Sequence, residues 1–173
     1  MMGMQTDVKQ AHLNGSGFFV KGRNRVKGIS MVGAGSADGT LVLFDAAAAP
    51  VTASVTYARS GTTVTVSKTA HGLTSGSVIG IHFASGTGGT ATDGTYTVTR
   101  IDADSFSVTD INSGTITGTP AAVYAVGRWL MTYEVDATDV FQNAPFIPGE
   151  GVLADTAVYG YMSNIAAAQI YYG

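Results

Sequence analysis

Residues able to do chemistry are few in this chain and widely scattered. The histidines are His12, His71 and His82, cysteine is absent, and no HExxH, GxSxG or P-loop pattern occurs. Metal sites and activated nucleophiles need several such groups brought together, and neither His71 nor His82 has a second ligand at helical or hairpin spacing. His71 stands beside Gly72, where an imidazole caps backbone groups at a turn or packs on the strands. His82 alternates with Ile81 and Phe83, which turns it away from them, toward solvent or a neighbour. Asp102 and Asp104 in IDADS read as turn carboxylates that accept from amides two residues on. A calcium loop would need about six oxygens and a further acidic residue. Glu134, Asp136 and Asp139 could supply the paired carboxylates of a glycoside hydrolase, roughly 5 to 9 Å apart, but the sequence offers no cleft to hold them. The expectation is a non-enzymatic protein with no metal and no cofactor.

Charge is more suggestive. Lys21, Arg23, Arg25 and Lys27 alternate, and period two would put all four on one face. That face is either a solvated edge that discourages strand addition or a contact for an acidic neighbour. From Tyr124 onward, Arg128 is set against Glu134, Asp136, Asp139, Glu150 and Asp155. A basic and an acidic surface on one domain suit head-to-tail contact between copies, hence a homo-oligomer. The interface candidates are Lys21, Arg23, Arg25 and Lys27, the N-terminal arm, and Phe141, Phe146, Ile147 and Glu150 of a Pro-fixed loop.

The elements that must position these residues read as strands throughout. Between Thr62 and Thr109, Val64 and Val66 alternate with Thr and Ser, Val78 to Phe83 forms a second apolar run, and Tyr96, Val98, Phe106 and Val108 keep the same period. Gly72, Gly76, Gly88, Gly89 and Gly94 punctuate those runs at turns. Around this stretch, 17–20, 26–32, 40–45, 123–135, 152–162 and 168–172 read as further strands, and Met1 to Leu13 as an arm or first edge strand. GTLVLFD, residues 39–45, is nearly all apolar and is expected inside a sheet covered on both sides. Pro50 and Pro120 bracket the central stretch, so residues 51–122 are expected as an inserted domain within a discontinuous domain of 1–50 plus 123–173. The flanks alone give six or seven strands in about 100 residues, the size of a β-sandwich.

The order TVTVxxxAHGLxxGxxVxI followed by DGTYTVTRIDADSFSVT resembles a small β-barrel module that recurs in tail, baseplate and other virion proteins of tailed bacteriophages. In that module His71, Gly72 and Leu73 make the turn between the first two strands, and Asp93 and Gly94 open the third. The flanks, with GTLVLFD, IPGEGV, residues 157–164 and the terminal IYYG, are similar to small β-sandwich proteins carried by the same phages. The resemblance implies an all-β fold, a sandwich of jelly-roll or immunoglobulin-like kind interrupted by an inserted small barrel. It also implies a virion structural protein assembled in the bacterial host cytoplasm.

Composition agrees with an assembly role. Charged residues are 12% of 173, with a net charge of −3, which gives no general attraction to nucleic acid or an acidic membrane. No run approaches the roughly 18 apolar residues of a spanning helix, and MMGMQTDVKQ lacks a signal peptide's apolar core. The expected function is capsid decoration or cement, bridging subunits of the major capsid protein. A tail, tail-tube, adaptor or fibre-associated role is the alternative, and Tyr57, Tyr96, Tyr124 and Trp129 are the platforms a less favoured glycan-binding module would use.

Overall fold

The computed structural model describes residues 8–138, 141–144, 147 and 149–173, with backbone alone for 141–144. Among them there are only strands and turns. In chain order the strands are β1 (Lys9–Leu13), β2 (Gly17–Lys21), β3 (Asn24–Gly33), β4 (Gly39–Ala46), β5 (Thr56–Ser67), β6 (Val78–Phe83) and β7 (Gly94–Thr97). They continue as β8 (Thr99–Arg100), β9 (Ser105–Ile116), β10 (Ala122–Val135), β11 (Phe141–Ala144), β12 (Val152–Ala154), β13 (Ala157–Ser163) and β14 (Ile165–Tyr172). They form two compact units, Met1–Asp45 with Leu130–Gly173, and Ala46–Trp129. β10 contributes to both.

The first unit is a β-sandwich. One layer has the order β1-β14-β3-β11, with β12 also on β3, and the other is built on β2, β13 and β4. Val26, Ile29 and Met31 of β3 and Ile165, Ala168 and Ile170 of β14 face Phe19 of β2, Leu41 and Leu43 of β4, and Val158 of β13. Alternation places Ile29 with Met31 and Ala168 with Ile170 on one face, and register shifts in the β14–β3 ladder bring Val26 and Ile165 onto it as well. β4 is buried along nearly its whole length, as its unbroken apolar run requires. The edge strand β1 pairs antiparallel with β14.

Residues 152–162, expected as one strand, are two. Asp155 and Thr156 interrupt them because the buried carboxylate of Asp45, 4% exposed at the end of β4, draws in the backbone there. It accepts from the N–H groups of Asp155 (2.9 Å), Thr156 (2.8 Å) and Ala157 (3.1 Å). β11 also lies where the sequence suggested only loop, pairing with Ala144 opposite Ile29 and Phe141 opposite Val32.

The second unit has two small sheets around its own core. β5 and β9 form a long antiparallel ladder with β8 on the far side of β9, while β6 pairs with β7 and with the first part of β10. Tyr57, Val64, Val66, Ile79, Ile81, Phe83, Phe106, Val108 and Tyr124 fill the space between them. The chain changes sheets at buried Val98, whose backbone bonds both Ser77 and Gly76. The expected barrel does not close among the described residues, because the ladders end at this change of sheet.

Gly80 in β6 has a steric reason. After Gly127 the chain bends and crosses the sheet, and a Cβ on Gly80 would fall on the Trp129 backbone nitrogen. Thr95 of β7, opposite Gly80, holds the crossing segment by accepting from the Trp129 N–H at 3.1 Å. Gly80→Ala is therefore expected to cost at least about 2 kcal/mol, since backbone and not a flexible side chain would have to move. Asp45→Ala, which strands three amides, should cost roughly 3 kcal/mol. Urea unfolding at unchanged m-value checks both.

Candidate functional site

The basic segment does not make one face. Lys21 ends β2, Arg23 lies in the turn, and only Arg25 and Lys27 share the outer side of β3, alternating with buried Asn24, Val26 and Gly28. Two of the four cations are paired within their own unit. Arg23 reaches Asp155 at 3.4 Å and Arg25 reaches Glu150 at 3.2 Å. Lys21 lies 5.1 Å over the Phe18 ring, a cation–π contact. Two of the basic–acidic pairings open to this sequence thus form inside one copy. These pairs lie at the surface and contribute little stability. Ile147 packs on the unit's own core and its N–H bonds the Lys27 carbonyl. Of Phe141 only the backbone is described, and Phe146 lies outside the described residues.

The HGL turn is built as its residue types require. Gly72 has φ +69°, which a side chain disfavours, and Leu73 drops into the core. His71 Nδ1 accepts from the Leu73 N–H at 3.0 Å, so Nε2 carries the proton and donates to the Asp102 carbonyl at 3.1 Å. The ring also meets Phe106 edge-on, 5.2 Å between centroids. Asp102 and Asp104 are turn carboxylates, with Asp102 accepting from the Asp104 N–H and Asp104 from the Ala70 N–H, each at 2.8 Å. The Asp104 amide, then the Ser105 hydroxyl, holds the Asp102 carboxyl below the usual range. Beside this turn lies an open groove of about 310 Å³. Ser54, Thr56, Ser67, Lys68, Thr69, Asp102, Asp104 and Ser105 line it.

His82 is not solvated. It is half-buried, its side chain 13% exposed, with Nδ1 2.7 Å from Asp93 Oδ2, while Asp93 Oδ1 accepts from the Phe83 N–H at 2.9 Å. The pair latches the end of the β6–β7 connection to β6. A His–carboxylate pair activates a nucleophile only when a hydroxyl or thiol meets the other ring nitrogen, and among the described residues none does. Asp93 thus earns its place at the opening of β7 through its side chain. Gly94 pairs with Ile81 inside the ladder without a positive φ, so the turn role expected for it is not the one it has.

Sequence reading overlooked the most enclosed polar group of the second unit, Asp110, 2% exposed. It accepts from Arg59 Nη1 at 2.7 Å, the Thr92 N–H at 3.1 Å and the Asn112 N–H at 3.0 Å. Arg59 Nε is buried without a partner among the described residues, a cost this network carries. A signal existed. Phe106, Val108 and Asp110 share one face by period two, as do Tyr57 and Arg59 on β5, so the two charges enter the core together.

Of the aromatic platforms, Tyr57 and Tyr124 are buried in the core and Tyr96 packs against it. Burial, then the charges of Asp110 and Asp93, pushes the Tyr96 phenol up to about 12, and its hydroxyl donates to the Thr92 carbonyl at 2.6 Å. Trp129 alone of the four platforms keeps part of its surface without packing in that core. Compared with family models, curated proteins and solved structures, the chain matches none.

The Asp110 network gives a pH signature. Burial pushes this carboxyl up, but the Asn112 amide, Thr92 and Arg59 together bring it below its ordinary value. A depressed folded-state value means stability that is complete above about pH 4 and lost as pH falls through the folded value. Asp110→Asn is expected to lose about 3 kcal/mol at pH 7 by leaving Arg59 unpaired, and the gap from the parent to narrow below pH 4. Chemical denaturation from pH 7 down to pH 3 reads both.

Proposed function

We propose that the chain is a non-enzymatic structural component of a tailed-bacteriophage particle, a capsid decoration or cement protein that packs across neighbouring capsid subunits. The observation that carries this reading is the outer face of the β1-β14-β3 sheet. Period two brings Ser30 and Val32 of β3 beside Ala167 and Gln169 of β14, with His12 of β1 next to them. These residues line a shallow depression of about 200 Å³ together with Met31 and Ala168. Neutral side chains on this face let another surface approach without burying unpaired charge.

The basic and acidic segments support the same choice of face. Because Arg23 and Arg25 are matched by Asp155 and Glu150, they have less to offer a neighbour than the sequence suggested. Contact through a neutral sheet face derives its strength from apolar surface removed from water and from repetition over many copies. The order of strands around the HGL turn favours a second reading within the same particle, a tail or adaptor component, since the module that it resembles recurs there.

A direct test adds purified chain to particles that lack it. The parent should co-sediment with the shells and raise their resistance to heat. Ala167→Glu, which puts a charge in the middle of the neutral face while leaving the core untouched, should weaken binding at least about tenfold. Equal binding by the variant, or a parent chain that never associates with shells, would refute the decoration reading.

A further inference from the structure

We propose that the groove beside the HGL turn binds a neutral polyhydroxylated ligand, one or two saccharide rings. Its volume of about 310 Å³ lies at the lower end of small-molecule sites, which run from about 300 to 1,000 Å³. What distinguishes it is uncommitted hydrogen-bonding capacity. Ser54, Thr56, Ser67 and Thr69 direct no side-chain hydrogen bond to any described residue, and the Lys68 ammonium makes no ion pair there although two carboxylates line the same groove. Hydroxyls both donate and accept, an ammonium donates and carboxylates accept, which is the mixture that vicinal diols satisfy.

The charge balance argues against other small ligands. An anion would face Asp102 and Asp104, and a divalent cation would meet the Lys68 ammonium and lack the six or so converging oxygens it needs. Part of the lining is fixed in advance, since Asp104 is held by the Ala70 amide and the Asp102 carbonyl by His71. No aromatic ring lines the groove, which limits single-site affinity to the millimolar range and leaves useful strength to repetition. The inference concerns the second unit alone and stands whether or not the chain rides on a virion.

The test is an NMR titration of the full ¹⁵N-labelled chain with glucose, galactose, rhamnose and N-acetylglucosamine. At least one sugar should shift amides of residues 54–56, 67–69 and 102–105 in a saturable manner and leave the first unit unmoved. Lys68→Ala and Thr69→Val, both on the surface and outside the core, should each weaken that binding about tenfold with the rest of the spectrum preserved. No saturable shift at tens of millimolar sugar would overturn the proposal. So would shifts produced by calcium chloride or phosphate but by none of the sugars, or binding that the two variants leave unchanged.

Discussion

Two buried carboxylates tie the connections of this protein to its sheets. With no cysteine and no helix among the described residues, each unit has strand ladders and a modest apolar core, and neither fixes the long segments between strands. In the first unit Asp45 gathers three successive amides of the turn between β12 and β13, which sets where β13 begins and hence its register on β4. In the second, Asp110 collects the amides of Thr92 and Asn112 and a guanidinium, pinning the β6–β7 connection to the long β5–β9 ladder. A charged acceptor serving several backbone donors is stronger than the neutral bonds around it, and its cost of burial is offset only while all partners stay.

Smaller devices of the same kind surround these anchors. Asp93 takes the Phe83 amide and His82, and His71 clasps both Leu73 and the Asp102 carbonyl. Close approach supplies the rest. Gly80 lets the chain cross its own sheet, and a change of sheet at Val98 gives the second unit a bend without closing it into a barrel. Connections built this way hold shape without a large core.

Local alternation was legible in the sequence. Val64 with Val66 and Phe106 with Val108 encode their burial through period two, and Leu41 to Phe44 through an unbroken apolar run, signals that need no partner to be recognised. Features set by distant residues were not. The break at Asp155 is imposed by Asp45, some 110 positions away, and the polar stretch Phe141–Ala144 becomes a strand only because β3 offers it an edge. The basic run looked like one face because period two was carried through a turn, where it has no meaning, and its acidic partners lie 125 residues and more along the chain. The HGL turn was readable as a turn, but the groove beside it was not, since its lining joins three segments, 54–56, 67–69 and 102–105, that are separate in sequence.

Neutral side chains on one sheet face, with Arg23 and Arg25 paired inside the chain, are the features behind the proposed packing against a shell. Cryo-electron microscopy of intact particles carrying the chain tests it most directly. Many copies on the shell, each with Ser30, Val32, Ala167 and Gln169 against a capsid subunit, are the predicted result. A few copies confined to one vertex, or copies on the shell with that face turned to solvent, would contradict it.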